Sequence, residues 1–141
     1  MLLVNTVGKA MTDAVETAIG ANGRIQFYTQ TTDLPTAGGA GTNILSNGLG
    51  VSSTPFSGTA SNATYVTRTF GAITTDTVAA GGNRTAIIFA ILNTSATTCT
   101  SDAIVLTGSV GTNAGDIQFN TNVWTASDNV AITALTFTQP L

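Results

Sequence analysis

Histidine is absent from the 141 residues, and cysteine occurs once. The first absence removes the commonest general base, the usual metal ligand and the customary partner of a nucleophilic serine or cysteine. The second excludes an intrachain disulfide and any CxxC motif, and leaves Cys99 as a small residue in a Thr-rich stretch. Charge is scarce as well: four basic and seven acidic residues make up 8% of the chain, against about a quarter in typical soluble domains. Lys9, Arg24, Arg68 and Arg84 are scattered singly, and the net charge is −3, so nucleic acid is not an expected partner. No apolar run reaches the roughly 18 residues of a membrane span, which predicts no membrane partner. The opening MLLVNTVGKAMTDAVE has neither the basic region nor the continuous apolar region of an export signal.

Hydrophobic residues nevertheless make up 43% of the chain, and Thr, Ala, Gly, Asn and Ser fill the place of charge. Disordered chains combine low hydrophobicity with high net charge, so an ordered chain is expected. The length suits one domain, residues 1–141, that removes roughly two-thirds of its unfolded surface from water. Its surface must be neutral and rich in hydroxyls. Soluble monomers keep apart by charge, so a chain this poor in it is expected to pack against partners.

Val7, Met11, Ala14 or Val15, and Ala18 recur at three- and four-residue spacing, predicting an amphipathic helix over 7–19. Thr6 is positioned to cap its start, and Gly20 or Gly23 its end. The stripe is narrow and Ala-rich, suited to covering a sheet edge or docking on a partner. From Arg24 the period becomes two. RIQFYTQ (24–30) reads as a half-buried strand, with Ile25 and Phe27 on one face and Gln26 and Tyr28 on the other. Residues 34–61 read as long surface loop, with a strand over 43–51. Strands follow over 63–70, over 84–93, where AIIFAIL is apolar on both faces and so central, and over 102–110. Residues 116–120 and 123–124 suggest a hairpin about Thr121 and Asn122, and 129–138 a closing strand. These elements predict an all-β, mainly antiparallel protein: a β-sandwich or jelly roll with one short N-terminal amphipathic helix, residues 1–6 forming a possible arm.

The seven acids are dispersed. Asp13 and Glu16 fall on the helix, and Asp33, Asp76, Asp102, Asp116 and Asp128 in loops or at strand starts, where caps and turns use them. GSVGTNAGD (108–116) has oxygens suited to calcium but lacks the alternating acids of a calcium loop. AGGAGTN (37–43) lacks the P-loop lysine and the strand–helix context of a phosphate cradle. No catalytic residue, cofactor or metal site is expected. The contact candidates are Leu2, Leu3 and Val4, readable as an anchoring segment or as a first strand, and Trp124, readable as an exposed contact or as a plug over the core.

Residues 10–29 (AMTDAVETAIGANGRIQFYT), with GSVGTNAGDIQFN and the terminal VAITALTFTQP, resemble a family of small structural-module proteins of tailed bacteriophages and prophages. The matching pattern is a short helix, the turn Gly20–Gly23, the strand Ile25–Thr29, the turn Gly108–Gly111 and a closing strand near Pro140. It covers the start and the last third of the chain. Gln30 departs from it where glycine commonly follows, and AIIFAIL is more apolar than the usual strand. The resemblance implies a virion structural protein and not an enzyme, foremost a capsid cement (decoration) protein made in the bacterial host cytoplasm and bound to the outer capsid surface. Its implied partners are the major capsid protein and further copies of itself, a trimer being favoured. The alternatives are a tail, fibre or head–tail adaptor component, or a carbohydrate-binding host adhesin using Trp124, Tyr28 and loop Asp or Asn residues.

Overall fold

The structure is a computed structural model that describes residues 5–39, 41–94 and 100–141; Leu2, Leu3, Val4 and Cys99 lie outside the described residues. Helix α1 (Asn5–Ile19) leads into strands β1 (Arg24–Tyr28), β2 (Leu49–Gly50), β3 (Phe56–Ser61), β4 (Tyr65–Phe70), β5 (Asp76–Thr77) and β6 (Arg84–Thr85). The chain continues through β7 (Ile88–Leu92), β8 (Ile104–Gly111), β9 (Ile117–Gln118), β10 (Val123–Trp124), β11 (Asn129–Val130) and β12 (Thr136–Pro140). The chain is thus all-β with one N-terminal helix, apart from 3-10 turns at Thr31–Asp33 and Ser101–Ala103. The largest sheet has the order β2-β1-β7-β8-β9, and a second has the order β12-β4-β3. Two short pairs, β10-β6 and β11-β5, complete the pairing, which is antiparallel except for β8 with β9.

Strand β7 is central, as its doubly apolar sequence predicts: β1 pairs with it on one side, Phe27 opposite Phe89, and β8 on the other. One face of this sheet places Ile25, Phe27, Phe89 and Ile91 in a single core with Phe56 and Phe70 of the second sheet. The two sheets thus share one apolar core. Strand β1 is not half-buried as expected. Gln26 and Tyr28 on its second face are also covered, because Leu34, Ala103 and Ile104 close over Tyr28, Ala90 and Leu92. The Tyr28 hydroxyl donates to Gln26 Oε1 at 2.7 Å, so this buried polar side chain is paired.

Four other expectations are corrected. Residues 56–61, read as loop, form β3, a hairpin partner of β4 with an irregularity between Phe56 and Gly58. Of 43–51 only Leu49–Gly50 is strand: Asn43 Oδ1 accepts from the backbone of both Phe27 and Leu45, turning the chain so that Ile44 and Leu45 enter the core. Residues 116–124 make no hairpin. Asp116 folds the chain back on Ser109, so β9 lies parallel beside β8 while β10 crosses to β6. The closing strand is split between two partners, β11 pairing with β5 and β12 with β4.

Among the described residues helix α1 runs from Asn5, so Thr6 lies inside it, and it stops at Gly20, whose positive φ of 65° lets its N–H return to Glu16 O at 3.0 Å. The buried side carries Gly8, Thr12 and Ile19. Gly8 permits the close approach: a Cβ there would lie 2.9 Å from Val66 Cγ2 and would strike Leu141. Charge fixes the other edge of the contact. Arg68 of β4, only 6% exposed, donates from Nη1 to Asp13 at 2.9 Å and from Nη2 to Glu16 at 2.5 Å. Its guanidinium carbon sits 5.1 Å from the centre of the Phe56 ring, and the Phe56 N–H donates to Glu16 Oε1 at 3.2 Å.

Candidate functional site

Six of the seven acids hold the fold through named hydrogen bonds. Asp13 and Glu16 take Arg68, and Asp33 takes the Thr29 hydroxyl and Gln30 Nε2. Asp76 Oδ2 accepts the N–H groups of Asn47 and Gly48, both at 2.7 Å; Asp116 accepts the Ser109 N–H and hydroxyl, both at 2.8 Å; Asp128 accepts Thr125 N–H at 2.7 Å. The 108–116 stretch therefore closes on itself through its own acid. Among the described residues no three His, Cys, Asp or Glu side chains converge as a metal site would require. Of the four surface depressions described, none is lined by two carboxylates. One of about 340 Å³ opens between the two sheets beside Phe70, Phe89, Leu106 and Phe137.

These contacts set an acid response. The Ser109 N–H and hydroxyl hold the Asp116 carboxyl below its ordinary value of 3.8, and the Thr29 hydroxyl does the same for Asp33. Burial pushes the Asp76 carboxyl up, but the N–H groups of Asn47, Gly48 and Thr77 outweigh it and the net direction is down. Lys9, at 2.8 Å, lowers Asp13. A carboxyl whose folded pKa is depressed releases more protons on folding, so its stabilisation is complete above the unfolded value and disappears as pH falls through the folded one. Melting temperature is expected to lose these contributions only as pH drops below about 3.8, and Asp76→Asn should remove part of that acid loss. A midpoint of the acid loss near pH 6 would contradict this assignment.

Trp124 is not a surface contact. It is 5% exposed, and its ring meets Phe27 and Phe119 edge-on at centroid distances of 5.2 and 5.1 Å. Its indole N–H donates to Thr121 O at 3.1 Å, which supplies the polar handle a buried tryptophan needs. The cause is the pairing of β10 with β6, which turns Trp124 inward where a hairpin tip would have turned it out. Tyr28 is fully buried, so the carbohydrate-adhesin alternative loses both of its rings.

The surface feature that remains is the outer side of α1. Val7 and Met11 are 41% and 48% exposed, and Ala10, Ala14 and Ala18 are exposed with them. The spacing 7-10-11-14-18 forms one apolar stripe along the helix. Of the residues that signalled an amphipathic helix, Val7, Met11, Ala14 and Ala18 face solvent, while Val15 joins Gly8, Thr12 and Ile19 on the side facing the sheets. Charge on the helix is sparse and engaged: Lys9 pairs with Asp13, and Asp13 and Glu16 with Arg68. No protein-family model, curated protein or solved structure matches the chain.

Proposed function

We propose that this protein is a non-catalytic structural subunit of a tailed-phage virion, a capsid cement protein that binds the outer surface of the shell and joins neighbouring capsomers. The observation that carries the reading is the solvent-facing apolar stripe of α1 on a charge-poor surface, a surface suited to being covered. The assignment to a phage follows the resemblance of residues 10–29, 108–120 and 130–140 described above. Six of the seven acids hold turns or ion pairs of the fold. A molecule that binds only the assembled lattice stabilises it by mass action, as any ligand stabilises the state it prefers.

The test is sedimentation of the purified chain with expanded and unexpanded capsids of the phage that encodes it. Binding to expanded shells alone, and earlier heat rupture of shells lacking the protein, is the expected result. Cryo-electron microscopy showing copies at a single vertex would instead place it at the head–tail joint. Met11→Lys makes the contact specific. Being half-exposed, Met11 should tolerate lysine within about 0.5 kcal/mol of folding stability. Capsid binding should nonetheless weaken about tenfold or more, close to 1.4 kcal/mol. Unchanged binding by a folded Met11→Lys protein removes α1 from the interface.

A further inference from the structure

Asn47 and Gly48 form a junction whose chemistry extends beyond the fold. Their consecutive N–H groups converge on Asp76 Oδ2 at 2.7 Å each, a backbone nest closed by a carboxylate. Asn47 is exposed, while Asp76 is part-buried at the start of β5, where Ser46 N–H bonds to Thr77 O at 2.9 Å. Gly48 has φ of 99°, and a Cβ there would come within 3.0 Å of Gln26 Cγ and Ile25 O. Glycine is therefore required at 48, and glycine also leaves its own nitrogen the least hindered toward the preceding side chain.

We propose that Asn47 is a self-modification site, at which Asp76 promotes closure of a succinimide with Gly48. Gly48 N yields its proton to Asp76 Oδ2 as its electron pair forms a bond to Asn47 Cγ. The Cγ–Nδ2 bond breaks, Asp76 returns the proton to Nδ2, and ammonia leaves. Water then opens the ring. Attack at Cγ restores the normal main chain with aspartate at 47; attack at the backbone carbonyl carbon leaves isoaspartate, with the chain running through the side chain. The net exchange is water for ammonia, with no redox partner. The carboxylate touches the nitrogen that loses the proton and is bonded through the same oxygen to the N–H of the residue whose amide leaves, which is the placement a general base needs. The product sets a second negative charge against Asp76 and opposes the clamp that holds 46–48 to β5.

The chain contains its own control, because Asn22-Gly23 is a second Asn-Gly pair, also with an exposed asparagine. The purified full-length protein is incubated at neutral pH, and peptide mapping with enzymatic isoaspartate labelling follows both positions. In the folded protein Asn47 is expected to convert faster than Asn22, and in urea the two should converge. Asp76→Asn retains an acceptor oxygen but not the base, and should slow conversion at 47 roughly a hundredfold, the lower end of what a positioned general base contributes. Conversion at 47 no faster than at 22 in the folded chain overturns the proposal, whatever the variant does. So does an unchanged rate in an Asp76→Asn protein that melts as the parent does.

Discussion

Arg68→Ala is expected to lower folding stability by about 3 kcal/mol, the lower end of the range for removing one partner of a buried ion pair. The lower end applies because Glu16 and Asp13 retain water contact, with side-chain exposures of 21% and 43%. Solvent screens them once the cation is gone. What is lost is the 2.5 Å contact to Glu16, the guanidinium face over Phe56 and the filled volume under α1. Arg68→Met separates these contributions. Arg68 Nε is buried without a hydrogen-bond partner, so the native arrangement already includes an unsatisfied donor. Methionine removes that cost and refills much of the space, and should be clearly milder than alanine. Urea unfolding of both variants checks this. Equal losses would mean that charge, not packing, dominates the joint between α1 and β4.

The sequence revealed those parts of the fold whose cause is local. AIIFAIL is apolar on both faces, and β7 lies between β1 and β8 for that reason. Gly20 ends α1 because a left-handed residue is needed there. Other features depend on partners distant in the chain. The second face of β1 looked solvent-facing because Leu34 and Ile104, which cover it, belong to segments that sequence alone does not bring near. Strand β3 reads FSGTAS, with one large apolar residue, and becomes a strand by pairing with β4. The candidate surface had a similar history. Helix α1 is apolar around half its circumference, so periodicity found the helix but could not choose which quarter faces the sheets. The choice was made by Gly8, which lets the backbone approach Val66, and by Arg68, which draws Asp13 and Glu16 toward β4.

Trp124→Ala should be costlier still, roughly 3–5 kcal/mol, the range for truncating a large aromatic in a core. The ring fills space between Phe27 and Phe119, and each of those side chains would lose an edge-on neighbour at close to 5 Å. For a chain of this length such a loss lowers the melting temperature by on the order of 10 °C. Trp124→Phe isolates the polar part: the core stays largely filled, but Thr121 O loses its indole donor, at about 1 kcal/mol. The pair of variants also decides between a packing role and a contact role for this residue. A tryptophan that met a partner or a sugar would leave melting unchanged on truncation and abolish binding instead. A tryptophan that joins β10 to β1 must show the reverse order: stability falls first, and any binding by the surviving folded fraction keeps its parent strength. Thermal melts of both variants, followed by capsid sedimentation below their melting points, read the two quantities separately.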